Sequence, residues 1–87
     1  MARYNLRIKK TARKELEAVA RKADRRRIIK RIESLADNPR PAGSQKLSGR
    51  ERYRIRQGQY RILYTIEQQV LIVHVIKIGH RKDVYRA

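Results

Sequence analysis

Apolar and polar residues alternate from Tyr4 to Lys9, with Tyr4, Leu6 and Ile8 on one side of YNLRIK and Asn5, Arg7 and Lys9 on the other. A period of two is the signature of a strand with one buried face. The period then lengthens. Ala12, Leu16, Val19, Ala20 and Ala23 recur at helical spacing among Arg13, Lys14, Glu17, Arg21 and Lys22, and Thr11 stands where a helix cap is wanted. A second stripe, Ile28, Ile29, Ile32, Leu35 and Ala36, has Asp24 as its candidate cap and runs up to the prolines of DNPRP, which stop a helix. The short break between the stripes predicts two helices folded back as an antiparallel hairpin.

RPAGSQKLSGRE carries one of the two prolines and two of the four glycines and shows no period, so it reads as a loop or partly ordered crossing. Beyond it, YRIRQ, YRILYTIE and VLIVHVIKIG are β-branched and aromatic, and QGQ and EQQ separate them at hairpin distances. The third run is apolar on both faces apart from His74 and Lys77, which predicts a position inside the sheet. The tail HRKDVYRA is polar but ends in Val84 and Tyr85, enough for a short edge strand. The order β-α-α-β-β-β predicts an α+β fold: an antiparallel sheet of about four strands with the N-terminal helix pair packed on one face. Residues 1–87 are expected to form one domain.

Composition sharpens this picture in two ways. Leu, Ile, Val and Phe make up 21 of 87 residues, more than a disordered chain carries, so the chain should fold. Against that stand 24 Lys and Arg and only 8 Asp and Glu, for a net charge of +16. Such a surface draws polyanions: nucleic acid above all, otherwise an acidic protein or an anionic membrane face. Sixteen of the cations are arginine, the residue suited to bidentate contacts with phosphate or carboxylate. There is no cysteine, and no run approaches the length and apolarity of a signal or membrane segment, so a cytoplasmic protein without disulfides is expected.

The hairpin gives the charge a direction. If Gly58 and Gln59 are the two central residues of a tight turn, Arg56 lies opposite Arg61, Ile55 opposite Ile62 and Arg54 opposite Leu63. Tyr53, Ile55, Ile62 and Tyr64 then share one face, and Arg54, Arg56 and Arg61 share the other. Opposed arginines repel, and a bound polyanion would remove that cost. A wet sheet face is the plain alternative. The tail GHRKDVY adds His80, Arg81 and Tyr85, residue types that RNA cleavage without metal requires: charge stabilisers, a proton acceptor and an aromatic that stacks on a base. His80 is a candidate general base, or an ordinary surface histidine. His74 reads as a sheet residue, and two histidines without cysteine argue against a zinc site. No cofactor is indicated.

Together, KLSGRERYRIR, GQYRILYTI and VHVIKIGHRKDVY, in this order of elements, resemble the RelE branch of the RelE/ParE toxin superfamily. The architectural resemblance spans nearly the whole chain, and the specific motifs lie between Leu47 and Tyr85. It implies the toxin of a type II toxin–antitoxin system: a metal-independent endoribonuclease that enters the ribosomal A site, cleaves mRNA by 2′-hydroxyl attack and so inhibits translation. An acidic, RelB-like antitoxin would hold it in a hetero-oligomeric complex. Carried over residue by residue, the roles are 2′-hydroxyl activation and phosphate binding for Arg54 and Arg56, transition-state charge for Arg61, proton donation or charge neutralisation for Arg81, and base stacking for Tyr85. The sequence departs from the family pattern in having arginine at 54 and 56, where lysine is usual. Guanidinium stays charged, so these two are poor bases and act by electrostatics and positioning. The alternatives are a ParE-like inhibitor of DNA gyrase and a non-catalytic ribosome- or RNA-binding protein.

Overall fold

A computed structural model describes residues 3–47 and 52–80. The elements run β1 (Asn5–Ile8), α1 (Lys10–Glu17), α2 (Lys22–Ser34), β2 (Gln45–Lys46), β3 (Arg52–Gln57), β4 (Tyr60–Glu67) and β5 (Ile72–His80). The α+β architecture is as expected, with a fifth strand added. The sheet order is β1-β5-β4-β3-β2, and its pairs are antiparallel except β1 with β5, which is parallel. A chain that leaves β1 through two helices and returns by β3 and β4 reaches the free side of β5 in the same direction as β1. The added strand, β2, lies in the stretch read as a loop; both its residues are exposed and it pairs with β3 at Gln45–Arg54 and Lys46–Tyr53.

Both helices begin elsewhere than their candidate caps. Lys9 (ψ 144°) precedes α1 and Arg21 (ψ 125°) precedes α2, each with extended backbone and no side-chain capping bond, so Thr11 and Asp24 fall inside the first turns. The first helix also ends at Glu17 instead of continuing to Ala23, and Ala20 and Ala23 are exposed. Leu35 and Ala36 are buried in the turn that follows α2, whereas Ile29 is 41% exposed and leaves the stripe. The tail strand proposed around Val84 and Tyr85 lies outside the described residues.

One face of the sheet carries the core. Tyr53, Ile55, Ile62, Tyr64, Ile66, Val73, Val75 and Ile78 pack against Ala12, Leu16, Val19, Ile28, Ile32 and Leu35 of the helices and the turns that follow them. At roughly 25 cal/mol per Å² of apolar surface, this burial is the main term holding so small a chain together. Tyr53 stacks on Tyr64 with ring centroids 5.7 Å apart, and the fully buried Tyr64 hydroxyl donates to the Pro39 carbonyl at 2.7 Å. Burial raises the Tyr64 phenol above its ordinary value. Arg40 lies over the Tyr53 ring and donates from Nε to the Tyr53 hydroxyl at 3.1 Å, a bond that raises the guanidinium's already high pKa. Its Nη1 also reaches Gln68, which in turn donates to Tyr4. The loop after α2 is thereby tied to β3 and β4 and, through Gln68, to Tyr4 just before β1.

Beyond Val75 the outer side of β5 is no longer covered by β1. Glu15 of α1 takes over, accepting from the Ile78 N–H at 3.0 Å and from Lys77 Nζ at 3.1 Å. This satisfies a backbone donor that would otherwise be left on a strand edge.

Candidate functional site

The hairpin adopts the tight register. Gln57 pairs with Tyr60, Arg56 with Arg61, Ile55 with Ile62 and Arg54 with Leu63, and Gly58 supplies the positive φ (60°) that such a turn demands. Arg54, Arg56 and Arg61 therefore share the sheet face turned away from the helices. Their settings differ. Arg56 is exposed at the rim and Arg54 is half-buried, hydrogen-bonded through Nη2 to the Gln45 side chain. Arg61, in the central strand, is only 3% exposed, and its neighbour on that face, Leu63, is also buried. Arg56, Gly58, Gln59, Tyr60 and Arg61 line a cavity of about 80 Å³ at the tip.

Gln45 escaped sequence reasoning because a two-residue strand with both side chains exposed leaves no period to read. Its pairing with Arg54 fixes the direction of that guanidinium, and β2 thus serves the site rather than the core.

His80 is not brought to this face. Val73 and Val75 point into the core, and a bulge at Ile76 inserts one residue opposite Leu63 and Tyr64, so that Ile78 and His80 take the core side in turn. Gly79 is the residue opposite Arg61, and His80 pairs with Tyr60, its ring edge-on to the tyrosine at 5.8 Å. His80 instead lines a cavity of about 230 Å³ with Glu15, Val19 and Ile78 on the helix side. Arg81 and Tyr85 lie outside the described residues. His74, read as a sheet residue, sits in β5 and contacts Glu67 at 2.7 Å on the arginine side.

On this geometry the face can hold an anion. Three guanidinium groups on adjacent strands, two of them directly opposed, offer planar donor forks, and the half-buried and buried settings of Arg54 and Arg61 strengthen their interaction with charge. None of the three can accept a proton at neutral pH.

The helix pair and the five-strand sheet match the fold of the RelE toxins. The chain superposes on E. coli RelE, solved in the free state as a variant with two arginines replaced by alanine, with a TM-score of 0.79 and 26% identity over 97% of this chain and 92% of that one. The archaeal RelE–RelB complex from Pyrococcus horikoshii gives 0.79 and 26% over 95% and 99%, and the RelBE2 toxin–antitoxin complex from Mycobacterium tuberculosis gives 0.81 and 24% over 95% and 97%. No curated sequence relative matches. The model of the ParE toxin of type II toxin–antitoxin systems, parDE, matches residues 6–85, and the chain belongs to that family within the RelE/ParE superfamily.

Proposed function

We propose that this toxin is a ribosome-dependent endoribonuclease that cleaves mRNA in the A site without a metal. The observation that carries the reading is the convergence of Arg54, Arg56 and Arg61 on one sheet face, around a hairpin whose register sets Arg56 against Arg61. A protein that only blocks another protein has no evident need for two opposed guanidinium groups. A polyphosphate substrate offsets their repulsion.

In the reaction, the 2′-oxygen attacks the adjacent phosphorus, a new O–P bond forms, and the bond to the 5′-oxygen breaks. Arg54 and Arg56 hold the phosphate and lower the cost of ionising the 2′-hydroxyl, whose proton passes to solvent because His80 faces the other way. Arg61 stabilises the charge of the pentacoordinate transition state. Arg81 stabilises the negative charge on the leaving 5′-oxygen, which takes its proton from solvent, and Tyr85 stacks on a base. Each oriented donor at a developing oxyanion is worth roughly 10²–10³ in rate. An acidic antitoxin of the RelB type covers the toxin in the resting cell, in the cytoplasm where both are made. That partner fits the +16 charge and the RelE–RelB complexes among the structural relatives.

Arg61→Ala and Arg81→Ala are each expected to abolish translation arrest in growing cells while the purified variants keep their circular dichroism and bind the antitoxin. Full toxicity in both would sink the catalytic reading. The match to the ParE model supports a second reading, inhibition of DNA gyrase. Loss of supercoiling in a gyrase assay, with mRNA intact in a translating extract, would establish it in place of the first.

A further inference from the structure

A second cationic cavity lies across the hairpin from the first. Arg27, Lys30 and Arg31 stand at spacings of three and four on α2 and so project from one side of the helix. With Ser34 one turn on, and Gln57 at the end of β3, they line a cavity of about 280 Å³. Among the described residues no carboxylate lines it, and none of the three cations is ion-paired. Like charges at these spacings destabilise a helix. Arg31 Nε is in addition buried without a hydrogen-bond partner, so its desolvation goes uncompensated. Nothing in the core requires this cluster: its members are exposed or half-buried, while Ile28 and Ile32 make the packing contacts of the same helix.

The lining selects the kind of ligand. A partner helix or peptide docks through apolar anchors in desolvated pockets; among the described residues no apolar side chain lines this cavity, whose walls are the aliphatic stems of the cations with their polar ends at the opening. Guanidinium, ammonium, hydroxyl and amide donors together suit the oxygens of a phosphodiester. The position selects it further. Gln57 follows Arg56 in the chain, so the two cavities flank consecutive residues of one hairpin. We infer that the α2 cavity binds a backbone phosphate of RNA away from the linkage being cleaved, which lengthens the RNA footprint around the hairpin tip. This rests on the ribonuclease reading for the identity of the nucleic acid, and on the cavity alone for the site.

The test is binding, kept apart from cleavage. The full chain is titrated with a single strand of about 12 nucleotides, within the usual span of single-strand sites, and with a dinucleotide, both 2′-O-methylated so that no attacking hydroxyl is present. For the long strand, the combined R27Q/K30Q/R31Q variant is expected to lose about tenfold in affinity. Its slope of log K against log salt should fall by roughly 0.7, the contribution of the one phosphate no longer neutralised. Dinucleotide binding should be unchanged, whereas Arg61→Ala weakens both ligands. R27K/R31K, which keeps the charge, should retain most of the slope, and the thermal midpoint of each variant reports whether it has folded. An unchanged slope for the long strand overturns the proposal. So does an equal loss of affinity for poly-glutamate, which would mark the cavity as a surface for acidic protein. If RNA is bound as expected but unmodified mRNA stays intact in a translating extract given the toxin, the ribonuclease reading fails and the site stands.

Discussion

At the scale of single residues the site trades stability for charge. Arg56 faces Arg61 across the ladder, and like charges directly opposed in a sheet are destabilising. Arg56→Gln removes one member of the pair without creating a cavity, because Arg56 is exposed. It is expected to raise stability by about 0.5 kcal/mol at low salt, or roughly 2–4 °C in thermal midpoint, while lowering cleavage at least tenfold. A residue kept only for solubility would show neither change, and a fall in both quantities would mean that Arg56 is structural. The shared face of Arg54, Arg56 and Arg61 could be read from the sequence because Gly58-Gln59 fixed the turn, and turn and alternation together fix which side chains meet. The burial of Arg61 could not be, since alternation assigns a face but says nothing of what lies over it. Nor could the side taken by His80: an unbroken period from Val73 gives the wrong face, and only the bulge at Ile76 reverses it.

At the scale of elements the β3–β4 hairpin is the part on which the site depends, and Gly58 is its pivot. Its φ of 60° lies where a side chain is strained, although a Cβ there would meet no atom within 4 Å. The cost of substitution is therefore backbone conformation alone. Gly58→Ala should destabilise by about 1–2 kcal/mol and Gly58→Asn by clearly less, since asparagine tolerates this region. Urea midpoints would measure both, and equal losses would show that the position is crowded rather than strained. The cleavage rate should follow the same order, because a looser turn lets Arg56 slip from its place opposite Arg61. The long periodic elements are visible in the sequence for the reason this hairpin is: each buries one face. The parallel pairing of β1 with β5 is not, because alternation marks a strand's buried side and leaves its neighbour open. The helix starts depart from the candidate caps for a related reason. Extended backbone at Lys9 and Arg21 begins each helix without any capping side chain, whereas Thr11 and Asp24 have the favoured chemistry in the wrong geometry.

At the scale of the molecule the excess of cations sets the terms on which the toxin exists alone. With 24 basic and 8 acidic residues on 87, the folded state concentrates repulsion that the expanded chain relieves, so the isolated protein should be stabilised by screening. Raising a chloride salt from about 0.01 to 0.1 M shortens the screening length from roughly 30 to 10 Å, which is enough to quiet repulsion between elements while leaving the short Lys77–Glu15 ion pair largely in place. The thermal midpoint is expected to rise by several degrees over that range. A polyanion should give the same rise at low concentration, because it binds the folded cationic faces and shifts the equilibrium by mass action. Two variants separate the sources of the effect. R27Q/K30Q/R31Q should lose part of the salt dependence through the α2 cavity, and Arg56→Gln a smaller part through the hairpin, with the losses adding because the sites lie on opposite sides of the sheet. A midpoint that stays flat or falls with chloride would show that the charges are already balanced within the fold. The cationic faces would then have no standing demand for RNA or for an acidic antitoxin.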